Sequence, residues 1–149
     1  MKLVRFGDAG QEQAGLIDSD GAVRDLSDVV EDLTPDTLGI RQLQKLKDID
    51  PQSLPLVPAG VRMGPCVAKP GKFVCIGLNY HDHAVETGLT PPSEPVVFMK
   101  AVSAIGGPHD DITLLRRSRK SDWEVELGVV IGKRTQYISP DQALSLIHI

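Results

Sequence analysis

Two glutamates, Glu124 and Glu126, stand two residues apart in the run Asp122-Trp123-Glu124-Val125-Glu126-Leu127-Gly128-Val129-Val130-Ile131. In an extended strand, residues i and i+2 project to the same face, with Cα atoms about 6.5–7 Å apart. The two carboxylates would then lie side by side, with Trp123, Val125 and Leu127 on the opposite face. Adjacent acids in so apolar a segment repel one another and resist burial unless something neutralises them. A hard divalent cation bound through oxygen does so. The plainer alternative is the solvated edge of an amphipathic strand.

A second chemical pair precedes it. In Tyr80-His81-Asp82-His83-Ala84-Val85-Glu86, His83 and Glu86 stand at i and i+3, neighbours on one helical turn. A carboxylate beside an imidazole raises its basicity and fixes its tautomer, which suits a base that takes a proton from water. An exposed helix-surface contact is the alternative. A third element is Glu94-Pro95-Val96-Val97-Phe98-Met99-Lys100, an apolar strand with a lysine at its end. Such a lysine either faces a ligand or simply ends the strand in water.

These residues need elements to hold them. Over residues 1–30 the pattern predicts short strands at Lys2–Phe6, Gly15–Asp18 and Ala22–Leu26, with Asp20-Gly21 as a hairpin turn. Ser27 caps a short turn of helix that runs through Val30 to Leu33. Thr34-Pro35 marks a helix start, and Leu38, Leu43, Leu46 and Ile49 line one face of the helix, with Gly39 weakening it. Five prolines between Pro51 and Pro70 make a connector. Beyond it, Phe73–Ile76 and Val96–Met99 read as buried strands, and His81–Thr87 as a helical turn. Gly106-Gly107-Pro108 reads as a turn. Ser139-Pro140-Asp141-Gln142 has the form of a capping box. Only seven residues follow it, too few for a stable isolated helix.

Bulk properties narrow the function. The 149 residues suffice for one domain, or for a small domain joined to part of a larger one. A net charge of −4 argues against a nucleic-acid partner. Arg116, Arg117, Arg119 and Lys120 form the positive cluster, read as a solvated loop or as a collector of an anionic substrate. No signal peptide or span of transmembrane length is evident, so the expected location is cytoplasmic, with no membrane partner. Cys66 and Cys75 lack metal-site spacing and read as reduced thiols.

In order and spacing, four stretches together resemble the fumarylacetoacetate hydrolase superfamily: Gly71–Glu86, Glu94–Lys100, Gly107–Asp111 and Asp122–Gly132. The opening Met1-Lys2-Leu3 and Arg24-Asp25-Leu26-Ser27 are similar to the small N-terminal domain of a branch labelled ureidoglycolate lyase or 2,4-diketo-3-deoxy-L-fuconate hydrolase. The resemblance implies an α+β, mostly β fold. Residues 1–65 would form the small N-terminal domain and linker. Residues 69–144 would form the first part of a mixed β-roll catalytic domain, and 145–149 a non-native tail on a truncated chain. It implies Mg2+ or Mn2+ on Glu124 and Glu126, a His83–Glu86 dyad that activates water, and Lys100 near the substrate. The family's third metal ligand, an aspartate in an Asn-Asp-Val-Ser type segment, would fall beyond Leu144.

The implied activity is hydrolysis of a C–C bond in a small 2,4-diketo acid, by a protein that is a homodimer at full length. Lyase, isomerase or decarboxylase chemistry on the same ion is an alternative. So is an inactive fragment, the state expected of the 149-residue chain itself.

Overall fold

The computed structural model describes residues 1–148; Ile149, the end of the expected tail, lies outside the described residues. In chain order the regular elements are β1 (Lys2–Phe6), β2 (Gln13–Ile17), β3 (Val23–Asp25), α1 (Ile40–Lys47), β4 (Val74–Gly77), α2 (His81–Glu86), β5 (Val96–Met99), β6 (Val130–Ile131) and β7 (Ile147–His148). Single turns of 3-10 helix lie at Pro51–Ser53 and Val102–Ala104, and a longer one at Pro140–Leu146. The class is mixed α and β. The chain divides into two compact units, one made of residues 1–68 and 107–149, the other of residues 69–106.

In the first unit, β1, β2 and β3 form an antiparallel sheet in sequence order. Lys2 pairs with Ile17 and Phe6 with Gln13, while Ile17 pairs with Val23. The expected turn closes β2 onto β3: Asp18 N–H donates to Ala22 O at 2.9 Å, and Gly21 sits at φ +82°, where a side chain would be strained. Gly15 is required for a different reason. A Cβ there would lie 3.0 Å from both the Arg24 carbonyl oxygen and the Phe6 ring, so the ring occupies the space a side chain would need.

Ala14, Leu16, Leu26 and Leu33 are fully or almost fully buried and form the core with Leu38, Leu43 and Leu46. The leucine spacing does place Leu43 and Leu46 on the buried face of a helix. That helix starts at Ile40, however, rather than at Pro35 under a Thr34 cap. Gly39 is extended (ψ 150°) and caps α1, so the low helix propensity of glycine splits the segment. The Thr37 hydroxyl meanwhile donates to the Asp32 and Thr34 carbonyls, closing a separate turn. At the other end of the chain, Pro140–Leu146 winds as a 3-10 helix and Ser139 makes no side-chain cap.

Arginine–carboxylate pairs bind this unit together. Arg5 is buried, and its guanidinium donates to Asp32 at 2.6 and 3.0 Å, to Glu12 at 3.4 Å and to the Pro65 carbonyl at 3.2 Å. Arg24 donates to Asp18 at 2.8 Å and to Gln52 at 2.7 Å. Among the described residues, no buried side-chain nitrogen or oxygen lacks a partner. A buried guanidinium stripped of one partner would be strongly destabilising, so these pairs fix which loops can meet.

The Arg24 hydrogen bond, aided by the Ala22 and Asp20 amides against the opposing effect of burial, holds the Asp18 carboxyl below its usual 3.8. A carboxylate with a lowered pKa stabilises the fold above the unfolded value, and that contribution fades as pH falls through the folded value. Stability should therefore be flat above about pH 5 and should drop below about pH 4. The Asp18→Asn variant should show a shallower acid loss. Hydrogen exchange at the Leu26 amide, bonded to Ala14 O, reports it; an unchanged acid profile in that variant would contradict the pairing.

Candidate active site

Three of the candidate side chains belong to the second unit. Its frame is an antiparallel pair, β4 and β5, with Val74 opposite Met99 and Gly77 opposite Val96. The chain leaves β4 through Leu78, a non-glycine residue at φ +53°, and enters α2 at His81. A left-handed residue of this kind costs about 1–2 kcal/mol, so the turn is held by its surroundings rather than by local preference.

Six residues are too few for a helix to persist on its own. Two features hold α2. Ala84 is fully buried, and the helix ends in a glycine-based stop. Gly88, at φ +70°, donates its N–H to Val85 O at 3.0 Å, and Leu89 N–H donates to Ala84 O at 2.9 Å. That pair of bonds is a Schellman closure. It fixes the helix end directly after Glu86.

The expected neighbours therefore share one turn. His83 is half-buried and Glu86 exposed. Among the described residues, no hydrogen bond joins the imidazole to the Glu86 carboxylate; the His83 backbone is instead tied by Asp82 Oδ1 to its N–H (3.0 Å) and by the Thr87 hydroxyl to its carbonyl (3.0 Å). Lys100 follows β5, and its N–H donates to Phe73 O at 3.1 Å. It thus stands at the end of the β4–β5 pair where β4 begins, whereas α2 follows the end where β4 finishes. A four-residue strand separates its ends by about 10 Å.

Glu124 and Glu126 belong to the first unit, and here the expected geometry changes. The strand anticipated over Asp122–Ile131 is reduced to β6, Val130–Ile131. A strand exists only where an edge pairs with it. β6 has one in β7, with Val130 opposite His148 and Ile131 opposite Ile147. Among the described residues no ladder runs along 122–129. Trp123, Val125 and Leu127, expected to pack together on the face opposite the glutamates, are 81, 78 and 63% exposed. Both glutamates are exposed too. Their carboxylate oxygens suit a hard divalent ion. Still, no group of three or more His, Cys, Asp or Glu gathers where it could hold a metal among the described residues.

One polar assembly escapes sequence reasoning. Arg62 bridges Glu12 (2.9 Å) and both Asp110 oxygens (2.8 and 2.7 Å). Asp110 also accepts the Gly107 N–H at 2.7 Å, closing the 107–110 turn. A Cβ on Gly107 would collide with the Met63 carbonyl. The Arg62 hydrogen bond, then the Gly107 amide, lowers the Asp110 carboxyl below the usual range. Burial pushes Glu12 up, but its bonds from Arg62 and the Gly10 amide and the charge of Arg5 outweigh that. Gly107 and Asp110 both lie in the family-like Gly107–Asp111 stretch. The arginine that Asp110 pairs with lies 48 residues back in sequence, and no local signal points to it.

A family profile described as "Fumarylacetoacetate (FAA) hydrolase C-terminal" matches residues 72–149. A Burkholderia ambifaria protein with a provisional hydrolase name and no stated substrate is 51% identical over 147 residues, covering 99% of this chain and 52% of that protein. A Sphingomonas protein named 2,4-didehydro-3-deoxy-L-rhamnonate hydrolase is also 51% identical over 147 residues, with 99% and 50% coverage. Among solved structures, the fumarylacetoacetate hydrolase of Exiguobacterium antarcticum superposes with a TM-score of 0.74 at 28% identity, over 99% of this chain and 52% of its own. The chain spans about half the length of the curated relatives it matches.

Two outcomes follow from this geometry. Gly88→Ala should cost about 1 kcal/mol or more, because alanine is strained at that φ, and should speed hydrogen exchange at the Leu89 amide; unchanged exchange would show that the closure does not hold α2. Calorimetric titration of the 149-residue chain with Mn2+ should give binding weaker than micromolar, since two carboxylates leave most of the ion's shell to water. A micromolar Kd would show a complete ligand set.

Proposed function

Because the chain belongs to the fumarylacetoacetate hydrolase family, we propose that it is part of a metal-dependent hydrolase that cleaves a C–C bond in a small 2,4-diketo acid. One observation carries the reading: the matched stretch, 72–149, contains all five candidate residues, His83, Glu86, Lys100, Glu124 and Glu126. The name of the Sphingomonas relative supports the substrate class, since a 2,4-didehydro-3-deoxy sugar acid is a 2,4-diketo acid. The 2,4-diketo-3-deoxy-L-fuconate suggested by resemblance is of the same class. At full length the protein would comprise a small N-terminal domain and a mixed β-roll catalytic domain, assembled as a homodimer in the cytoplasm.

Glu124 and Glu126 would hold Mg2+ or Mn2+ together with ligands from outside the described residues. When bound, the ion supplies Lewis acidity toward the oxygens of the α-keto acid. His83, with Glu86 one turn along α2 and free to reach it once substrate is bound, takes a proton from water as the water oxygen bonds to the distal carbonyl carbon. The Lys100 ammonium offers positive charge to the oxygen that becomes negative. The C–C bond then breaks, its electron pair leaves with the α-keto acid fragment as an enolate, and the proton held on His83 goes to that carbon. The products are a carboxylic acid and a pyruvate-type keto acid.

The test is a chain completed to its relatives' length with the unmatched part of the Sphingomonas protein. It should cleave acylpyruvates with divalent-ion dependence. His83→Ala should lower kcat by about 10²–10⁴-fold, and Glu124→Gln should remove the stimulation by Mn2+. Unchanged turnover after dialysis against chelator would contradict the proposal.

A further inference from the structure

Among the described residues of α2, His83 alone has side chains bonded to both its backbone polar groups. Its N–H donates to the Asp82 carboxylate (Oδ1, 3.0 Å), and its carbonyl oxygen accepts the Thr87 hydroxyl (3.0 Å). Thr87 binds the turn further. Its N–H donates to the same His83 carbonyl at 3.1 Å, and its hydroxyl also reaches the Ala84 carbonyl at 3.0 Å. Such bonds weigh heavily in a six-residue helix, because helix ends leave N–H and C=O groups without intrahelical partners. Thr87 thereby joins His83 to the anchored part of the turn, the buried Ala84 and the stop at Gly88 and Leu89. The Thr87 side chain is itself exposed, so it serves through its hydroxyl and not through packing. Among the described residues the His83 imidazole makes no hydrogen bond of its own. Its direction is therefore set by the backbone that carries it, since backbone conformation decides which side-chain rotamers are open.

We propose that Thr87 is a positioning residue for His83. Its hydroxyl, with Asp82 on the other side of the same residue, holds the His83 backbone so that the imidazole keeps one rotamer, the one from which it takes a proton from water. Thr87 touches neither substrate nor ion in this account and acts through His83. Its role in the proton transfer rests on the function proposed above, whereas the rotamer is a property of the 149-residue chain and is measured without turnover.

Two substitutions test it: Thr87→Val keeps the β-branched shape and removes the hydroxyl, while Thr87→Ser keeps the hydroxyl. In the 149-residue chain, NMR three-bond couplings across the His83 Cα–Cβ bond should show one dominant rotamer in the parent and in Thr87→Ser, and averaging in Thr87→Val. Hydrogen exchange at the Thr87 amide should quicken by about 2–10-fold in Thr87→Val, the range that one hydrogen bond of ordinary net strength supplies. Exchange across Val74–Gly77 and Val96–Met99 should stay as it is, because an exposed side chain leaves no cavity when it is replaced. In the chain completed to its relatives' length, Thr87→Val should lower kcat by about 2–10-fold with little change in KM. In a His83→Ala background it should have no further effect, as expected of a residue that acts through that imidazole. Unaltered His83 couplings in Thr87→Val would overturn the proposal. So would an equal loss of kcat with and without His83, or exchange that quickens as much across β4 and β5 as in α2. A rotamer held by Thr87 in a completed chain without turnover would support the positioning and fault only the proposed function.

Discussion

An apolar strand persists only where something covers it and pairs with its edges, and this constraint sorts the whole molecule. Residues 1–68 satisfy it internally. The β1–β2–β3 sheet lays Ala14 and Leu16 against Leu26, Leu33 and the buried face of α1. The polar groups taken out of water with that core are matched by Arg5, Arg24 and their acids. From Val74 onward the same kinds of residue occur, but the cover is missing. β4 and β5 pair with one another and leave apolar side chains exposed on both faces, and among the described residues no ladder runs along 122–129. The candidate chemistry lies entirely in this less covered part of the chain.

Arg62 is the second organising element. By holding Glu12 and Asp110 together it ties the loop after β1 to the 107–110 turn, which opens the segment leading to Glu124 and Glu126. Gly107 permits the approach, because any side chain there would meet the Met63 carbonyl. A glycine and an aspartate in a short family-like stretch thus serve the fold, docking a turn onto an arginine supplied from the N-terminal residues.

What the sequence made legible follows from how local each signal is. β1 has the bounds expected from alternation, and the Asp20-Gly21 turn closes β2 on β3. His81–Glu86 is helical because its stop at Gly88 is encoded within four residues of Val85. The long-range partners were not readable: Arg5 reaches Asp32, 27 residues away, and Arg62 reaches Asp110, 48 away. The helix expected to start at Pro35, capped by Thr34, begins five residues later at Ile40, since Gly39 and the Thr37 hydroxyl outweigh a good start signal. The alternation at Glu124 and Glu126 is strand-like, yet strand formation depends on a neighbouring edge that a local pattern cannot supply. Spacing alone leaves each of the five candidate side chains with a plain structural alternative; their roles come from a family resemblance, and the match over 72–149 supports the resemblance itself.

The proposed chemistry requires Glu124 and Glu126 to converge on one ion, with the His83 imidazole within reach of a water beside it. Anomalous diffraction from Mn2+-soaked crystals of the chain completed to its relatives' length tests that directly. The expected result is a single manganese peak bound by one oxygen from each glutamate, with a water between it and the His83 ring. Carboxylates directed to opposite sides of the sheet, or an ion held without either of them, would contradict it.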